Sequence, residues 1–418
     1  MLATVLRALK ISDLRSRILF TLAMIGVFRV GVHVPVPGVD TEIVQQMIGH
    51  GTLFSFLDVF AGGALAVFSI FAMGIIPYIN ASIIMQLLTI VVPKFEEWRK
   101  EGQEGRRKLT QITRYGTVVL AAIQAFGLSY AVRPAIIDPN PLSYAIIIIT
   151  LTAGTAFLMW LGEHITEHGI GNGISLLIFA GIVSRLPLGV QRMFTFIAAD
   201  VINILNLLAL IVIGLVVIAA VVWIQEGQRR IPVQYAKRVV GRRLYGGQST
   251  FIPMKVNTAG VIPVIFAVSV LAFPATVAQF WQHPLAQRFG EMFGYQTATY
   301  VIIQFLLIIF FTYFYTSIQF NPADVANNMK KAGGFIPGLR PGRPTAAYLQ
   351  KVLMRITLVG SIFLATVAIM PNFIMTLTGI PNVYLGGTAL LIVVGVALET
   401  MKQIEAHLVM RHYQGFIR

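Results

Sequence analysis

The sequence has no cysteine and few charged residues. Only 12% of its 418 residues are Asp, Glu, Lys or Arg, about half the share that is usual in soluble proteins. Without cysteine the chain has neither a disulfide framework nor a cysteine metal site. Hydrophobic residues make up 56% of the chain and the mean hydropathy is +0.77. This composition excludes an ordinary soluble domain and predicts a multi-spanning membrane protein.

The sequence also lacks a signal peptide and a nucleotide-binding motif. Residues 1–17 contain no apolar core before a small-residue cleavage site, so we expect no signal peptide. No Gly-x-x-x-x-Gly-Lys-Ser/Thr motif occurs, and the glycines from Gly169 to Gly173 lack the spacing of a dinucleotide site. We therefore expect that this chain hydrolyses no ATP and that Gly169 to Gly173 form a tight connection between helices.

One apolar stretch is too long for a single membrane crossing. It runs from Phe54 to Val92 with Asp58 as its only formal charge. A continuous helix of this length would measure roughly 60 Å, against about 30 Å of bilayer hydrocarbon. The Gly62-Gly63 pair suggests a short first piece that does not span, followed by a spanning piece. Backbone at partial depth is tolerated only beside protein or a water-filled cavity, so the stretch predicts a cavity.

Apolar runs bounded by charge or by Pro and Gly indicate ten membrane spans. They are Ile18–Val32, Ile70–Val92, Tyr115–Val132, Leu142–Leu161, Ile170–Leu186, Leu205–Ile224, Ala259–Phe280, Thr299–Phe320, Leu353–Met370 and Val383–Leu398. With the N-terminus inside, only Arg29, Arg133, Arg185, Arg192 and Arg288 of the 32 Lys and Arg residues fall on the outer side. The positive-inside rule then places both termini in the cytoplasm.

The chain divides into an N-terminal half, residues 1–195, and a C-terminal half, residues 196–418. Five spans is an odd number, so two similar halves would be inverted with respect to each other. Two inner loops are long enough to have structure of their own. Residues 227–256 alternate like strands about Gly241 and predict a basic hairpin, whereas residues 321–351 predict a short helix, Ala323–Lys331, and a Gly/Pro turn cluster. Their length favours docking of a cytoplasmic partner over simple lipid anchoring.

His164, Glu167 and His168 fit the H-x-x-E-H pattern of inverted zincins. In such enzymes two histidines one helical turn apart bind zinc and the glutamate activates water. The pattern has only three fixed positions, a glycine-rich turn follows it at once, and no third ligand can be assigned. A zinc membrane protease therefore stays an alternative, not the preferred function.

The predicted spans are almost free of ionisable residues, which ion-coupled transporters need near the bilayer midplane. This favours a passive conduit over a small-solute transporter, the second alternative. The spans do contain uncharged polar residues: Asn80, Ser82, Gln86, Gln124 and Asn257. Hydrogen bonding between helices is the ordinary explanation for any one of them.

Seven motifs resemble the SecY/Sec61-alpha family of protein-conducting channels. They are PYINASIIMQLLTIV (77–91), KEGQEGRRKLTQITRYGT (100–117), ITEHGIGNGISLLIFAGIV (165–183), RRIPVQYAKRVVGRRLYGGQST (229–250), NTAGVIPVIFA (257–267), GGFIPGLRPG (333–342) and GGTALLIVVGVALE (386–399). They occur in the family's order over nearly the whole chain. The resemblance implies an all-α membrane fold of ten helices in two inverted five-helix halves, with a short plug helix.

The resemblance also implies the parts of a channel. A ring of aliphatic residues that closes the pore would fall on Ile79, Ile83, Ile178, Ile182, Ile265 and Ile392. Such rings gate by dewetting and bind no particular sequence. Residues 54–68, with Phe54, Asp58, Gly62 and Gly63, would be the plug. Spans two and three facing spans seven and eight would form a lateral gate, with Gln86, Gln124, Asn257 and Phe273 at the seam.

By the same resemblance, Arg242, Arg243 and Arg340 would bind SecA and the ribosome, whose RNA is polyanionic. SecE-type and SecG-type small subunits, signal sequences, nascent polypeptides and membrane lipid would be the other partners. We therefore expect a channel subunit of the cytoplasmic (inner) membrane that moves unfolded chains outward and transmembrane segments sideways. It would be no enzyme, with no catalytic residue, metal or cofactor of its own.

Overall fold

The computed structural model describes residues 8–48, 58–198, 204–235, 238–240, 243–245, 249–280, 297–378 and 387–414. Within these ranges the chain is mostly helical. The first seven helices are α1 (Ser12–Val32), α2 (Thr41–Ile48), α3 (Ile76–Val91), α4 (Pro93–Lys100), α5 (Gln103–Ala131), α6 (Pro141–His168) and α7 (Gly173–Ala198). A short 3-10 turn, Arg133–Ala135, follows α5.

The remaining helices are α8 (Ile204–Glu226), α9 (Ile262–Phe280), α10 (Ala298–Gln319), α11 (Pro322–Lys331), α12 (Arg343–Thr378) and α13 (Gly387–Gln414). Five short strands interrupt them: β1 (Gln228–Tyr235), β2 (Arg238–Val240), β3 (Arg243–Tyr245), β4 (Ser249–Lys255) and β5 (Gly334–Phe335).

Each of the ten predicted spans coincides over most of its length with one helix. By length and apolar composition, six of the described helices could cross a membrane, and α3 with α4 would make a seventh if the bent pair were one span. The protein is therefore a multi-spanning membrane protein, and the number ten stays a prediction. The two members of the bent pair lie at 99° to each other, so α4 leaves the direction of α3.

The predicted start of the second span at Ile70 is wrong by six residues, because α3 begins at Ile76. Residues 61–75 instead form consecutive turns. Gly74 has φ +58°, a left-handed conformation that glycine adopts without steric cost. Pro77 lies in the first turn of α3, where its missing N–H costs no hydrogen bond.

Several helices extend beyond the apolar runs that predicted them. α5 begins at Gln103, twelve residues before the predicted Tyr115, and α13 continues to Gln414. α12 begins at Arg343, inside the predicted loop 321–351. The apolar run measures the thickness of the hydrocarbon, whereas Lys, Arg, Glu and Gln are good helix formers that continue the helix into water.

The predicted basic hairpin is present. β1 pairs antiparallel with β4, from Gln228 opposite Lys255 to Gln234 opposite Ser249, and β2 pairs with β3 farther along. The short helix predicted in the second loop is α11. β5, which was not predicted, adds to the other edge of β1 and makes the sheet order β4-β1-β5. Ile231, Val233 and Met254 of this sheet pack with Met329 and Leu349 in one buried cluster.

The helices pack in two groups that meet along two seams. α1, α3, α5, α6 and α7 form one series of contacts, and α8, α9, α10, α12 and α13 form the other. α9 packs against α3 and α5 at one seam, which we name the α3/α9 seam, and α13 packs against α7 at the other. The largest buried cluster contains residues of both groups.

Gly154 in α6 marks a close approach of this helix to the turns before α3, and this approach can be tested. A Cβ at this position would overlap the carbonyl oxygen of Ile70. We expect Gly154→Ala to destabilise the protein by about 1 to 3 kcal/mol through overpacking. The thermal unfolding midpoint of the purified protein in detergent measures the loss.

Gly214 of α8 is the matched control, since a Cβ there has no atom within 4 Å. Gly214→Ala should be neutral or stabilise by roughly 0.5 to 1 kcal/mol, as is usual in a helix. An unchanged midpoint for Gly154→Ala would contradict the close approach of α6 to Ile70.

Candidate pore and seal

The six isoleucines of the predicted ring lie in one buried cluster. Ile79 and Ile83 come from α3, Ile178 and Ile182 from α7, Ile265 from α9 and Ile392 from α13, and none is more than 7% exposed. Spacings of four residues place each pair on one face of its helix. Four helices drawn from both groups thus contribute to one buried centre that contains these six isoleucines, which we name the aliphatic centre.

A small cavity lies at this centre. Its volume is about 20 Å³, and its lining includes Ile79, Ile178 and Ile265 together with Phe60 and Ala61. A space of this size holds about one water molecule. Ile83, Ile182 and Ile392 belong to the same cluster but do not line the cavity. The centre is therefore closed on one side by residues that precede α3.

Those residues belong to what we name the 58–75 segment. Only residues 58–60 of it are helical, and turns follow. The backbone bonds to the chain after α1: Val36 N donates to Phe68 O at 2.9 Å and Ile70 N donates to Val34 O at 3.0 Å. Backbone hydrogen bonds thus hold the segment in place, although it has little regular structure. Phe54, at the start of the predicted plug, lies outside the described residues.

Asp58 forms a buried ion pair with Arg185 of α7. The two side chains are 3% and 14% exposed. Asp58 Oδ1 also accepts a hydrogen bond from Ala66 N at 2.9 Å. A buried carboxylate needs such partners, because an unpaired charge in a low-dielectric interior is very costly. The pair fixes the 58–75 segment to α7.

Arg29 of α1 holds the same segment from another side. Its Nη1 donates to Gly62 O and to Ser184 Oγ, both at 2.9 Å. Gly62 has φ +67°, and a Cβ there would lie 2.8 Å from Gly181 Cα. The predicted break at Gly62 is therefore also a point of close backbone approach, where only glycine fits.

Two of the predicted gate residues, Gln86 in α3 and Asn257 in the chain before α9, carry buried oxygen atoms. Gln86 Oε1 and Asn257 Oδ1 are buried and accept no hydrogen bond from the described residues, although Asn257 Nδ2 donates to Gly260 O at 2.9 Å. Gln124 is half-buried in α5, and Phe273 lies in α9 with its side chain outside the description. A buried acceptor without a donor weakens packing by about 1 to 3 kcal/mol.

The turn between α6 and α7 is tied to two other helices. Ile170 N donates to Thr21 Oγ1 of α1 at 3.1 Å, and Gly171 N donates to Gln403 Oε1 of α13 at 2.8 Å. Gly173 N donates to Thr166 Oγ1 at 2.9 Å. The predicted tight connection from Gly169 to Gly173 is thus present, with its amide groups capped by side chains.

The predicted docking residues are only partly described. Arg340 is exposed in the turn before α12, where its carbonyl accepts a hydrogen bond from Thr345 Oγ1 at 2.8 Å. Arg243 lies in β3, and Arg242 lies outside the described residues.

Comparison with known proteins identifies the family. The family model of SecY matches residues 69–401. The chain belongs to the SecY family. It is 52% identical to the protein translocase subunit SecY of Halalkalibacterium halodurans and 49% identical to that of Bacillus subtilis, and each alignment covers all of both chains.

Solved SecY and Sec61 structures share the fold. A structure described as a protein-conducting channel has a TM-score of 0.68 at 19% identity and covers 94% of this chain and 93% of its own. A second, on the plug domain of SecY that stabilises the closed state and maintains a membrane seal, has a TM-score of 0.67 at 19% identity, covering 94% and 92%. Sec61 of the canine ribosome-channel complex has 0.64 at 18%, covering 94% and 93%.

Sequence reasoning about this SecY family member missed Arg29 and Arg185. Both are among the five basic residues that the predicted orientation leaves on the outer side, and Asp58 is the only charge between Phe54 and Val92. Ionisable residues inside membrane segments pair with one another or mark a pathway. By that rule, the sequence could have predicted that Asp58 pairs with one of these few arginines. It could not have predicted which arginine.

We expect neutralising either member of the Asp58–Arg185 pair to loosen the 58–75 segment. Breaking a buried pair costs about 3 to 5 kcal/mol, because one charge stays buried without its counter-charge. Asp58→Asn and Arg185→Gln should each speed hydrogen exchange of the amides in this segment. The double variant should lose less than the sum of the two single losses.

Glu96→Gln is the control. Glu96 forms an exposed pair with Lys100 at 2.7 Å, and exposed pairs contribute little to stability. Exchange in residues 58–75 should be unchanged. Strictly additive losses for Asp58→Asn and Arg185→Gln would show that the two side chains do not stabilise the segment as a pair.

Proposed function

We propose that this chain is the pore subunit of a protein translocase, which passes unfolded polypeptides across the membrane and releases transmembrane segments sideways. The observation that carries the proposal is the aliphatic centre: six isoleucines from four helices, buried together beneath a segment without regular structure. The curated SecY relatives are named as protein translocase subunits over their full length. The chain itself acts as a passive channel, not an enzyme.

The six isoleucines serve as the pore ring. Aliphatic side chains exclude water when they meet, so the closed ring blocks ions by dewetting. They offer neither charge nor a directional hydrogen bond to a moving chain, which can therefore slide whatever its sequence. The cavity of about 20 Å³ beside Ile79, Ile178 and Ile265 represents the closed state of this ring.

Residues 54–68, of which 58–68 lie in the 58–75 segment, serve as the plug. Phe60 and Ala61 cover the aliphatic centre, and a related structure is described by the sealing role of its plug domain. Opening the pore requires Asp58 to leave Arg185 and Gly62 to leave Arg29. Asp58, Gly62 and Gly63 are thus the residues through which the seal is held and released.

The α3/α9 seam serves as the lateral gate, with Gln86, Gln124, Asn257 and Phe273 along it. The buried acceptors of Gln86 and Asn257 leave the closed seam less stable than an apolar one would be. An apolar signal sequence or transmembrane segment that enters the seam replaces these poor contacts with apolar ones. The seam then opens toward membrane lipid.

The chain spans the cytoplasmic (inner) membrane ten times, with both termini in the cytoplasm. The concentration of Lys and Arg in alternate loops supports this orientation. Residues 1–195 and 196–418 form two inverted halves. The seams at α3/α9 and at α7/α13 are the places where such halves would meet and move.

Partner proteins supply the driving energy and complete the channel. SecA or the ribosome docks on the hairpin of β1 to β4 and on the turn before α12, with contacts from Arg242, Arg243 and Arg340. One structural relative is the Sec61 of a ribosome-channel complex.

SecE-type and SecG-type small subunits bind from within the membrane. α8 offers them the most suitable apolar surface, because only 11% of its apolar stretch is buried within the described chain. A cavity of about 330 Å³ also lies between α7, α8, α12 and α13.

The pore assignment can be tested by crosslinking, since the chain has no cysteine of its own. A secretory chain stalled during translocation should crosslink to a single cysteine introduced by Ile83→Cys or Ile265→Cys. Both positions face the ring through which the chain must pass. The crosslinked product is measured by its shift on a gel.

Val216→Cys supplies the control, since Val216 of α8 is 62% exposed on the apolar outer surface. It should give no product with the stalled chain. Failure of both ring positions, with translocation intact, would refute the central pore.

The gate assignment predicts an effect of Gln86→Leu. Removing the buried acceptor should stabilise the closed seam by about 1 to 3 kcal/mol. Transmembrane segments of marginal hydrophobicity should then be released into lipid less often. The fraction inserted, against the fraction translocated, is measured over a series of test segments.

Gln111→Leu makes the same chemical change at an exposed position of α5. It should leave the insertion threshold where it was. An equal shift in both variants, or none in Gln86→Leu, would contradict the role of the seam.

A further inference from the structure

The last turn of α6 carries three metal-ligating side chains that the channel mechanism does not use. They are His164, Glu167 and His168, and their donor atoms all lie within 4.8 Å of one another. Residues three and four apart share one face of a helix. The fold thus brings two imidazoles and one carboxylate together at the cytoplasmic end of α6.

Neighbouring rings hold the two imidazoles in place. The ring of His164 stacks on Trp160 at 4.9 Å between centroids, and Phe20 of α1 lies 5.3 Å from His164 and 6.1 Å from His168. These contacts orient the rings without using their nitrogens. Within the part of the chain that the structure describes, neither imidazole has a hydrogen-bonded partner.

The nearby carboxylate of Glu163 is committed elsewhere. It pairs with Arg114 of α5 at 2.7 Å. Glu167 is exposed on the same face as the histidines. Its charge also acts on Arg114, but no hydrogen bond among the described residues holds its carboxylate. Two donor atoms of a tetrahedral zinc ion lie about 3.4 Å apart, so side-chain motion of roughly one to two ångströms would complete the group.

We infer that His164, Glu167 and His168 form a binding site for a divalent transition-metal ion of the zinc type. Imidazole with one carboxylate suits Zn²⁺, Cu²⁺ or Ni²⁺, whereas Ca²⁺ and Mg²⁺ prefer oxygen ligands alone. The partial negative charge at the C-terminus of α6 favours a cation there. Water completes the coordination, since the group contains three protein ligands.

This site is not that of a protease. In an inverted zincin the glutamate stays off the metal as the general base, and a further protein ligand comes from elsewhere. Here Glu167 is needed as the third ligand, and no further His, Cys, Asp or Glu of the described residues joins the group. The metal instead crosslinks side chains that are one helical turn apart.

That turn is followed at once by the Gly169–Gly173 connection, which Thr21 and Gln403 tie to α1 and α13. A metal ion across His164 and His168 would stiffen the end of α6 beside this connection. Binding of a transition-metal ion would therefore reduce motion at the junction of α6 and α7.

Zinc titration of the purified full-length protein, after chelation, tests the site. One ion should bind per chain. His164→Ala or His168→Ala should each weaken binding at least about tenfold, since loss of even a group that only hydrogen-bonds to a ligand costs this much. Glu167→Gln should weaken it less. X-ray absorption at the zinc edge should show two imidazole ligands.

Two variants keep the test specific. His33→Ala removes an exposed histidine of the α1 end, and Glu163→Gln removes the neighbouring carboxylate; both should bind zinc as the parent does. Zinc should also slow hydrogen exchange of residues 160–173 in the parent and not in the variant with both histidines replaced. Unchanged affinity in that double variant, or a preference for Mg²⁺ or Ca²⁺ over Zn²⁺, would overturn the inference.

Discussion

The buried ion pair between Asp58 and Arg185 is the charged contact that fixes the 58–75 segment to α7. Irregular backbone inside a membrane protein must find its hydrogen bonds within the protein, because the hydrocarbon offers none. The 58–75 segment satisfies this demand through Asp58, Arg29 and the strand-like contact with Val34 and Val36. Without a charged anchor, a stretch of turns at this depth would have little to hold it over the aliphatic centre.

The Asp58–Arg185 pair and the aliphatic centre have different physical properties, and they are formed by different residues. In the proposed channel, the seal must hold its closed position and must not grip the chain once open. A buried ion pair is strongly destabilised when one partner is removed, whereas aliphatic contacts are non-directional and individually weak. Asp58 and Arg185 sit in the segment and in α7, and the six ring positions are all isoleucine. Binding and passage are thereby assigned to different residues.

The sequence could predict the structural features that depend on residues close together in the chain. Alternation about Gly241 predicted the hairpin, and apolar length predicted where helices lie. The family resemblance brought the six isoleucines together before any coordinates. The pairing of Asp58 with Arg185 spans 127 positions of the chain, and no local pattern encodes it. β5 has only two residues, too few to show alternation. The start of α3 was misplaced because hydropathy does not distinguish an apolar turn from an apolar helix.

The two ends of the 58–75 segment are attached to opposite seams. Asp58 is bonded to α7, which packs against α13, whereas Ile75 leads directly into α3, which packs against α9. If α3 moves away from α9 while α7 keeps its contacts with α13, the segment is pulled between the two attachments. The pull would be carried along the turns before Ile76 to the ion pair. In the proposed channel, widening of the α3/α9 seam would therefore act on Asp58 through the chain itself, and entry of an apolar segment at the seam would loosen the seal without touching it.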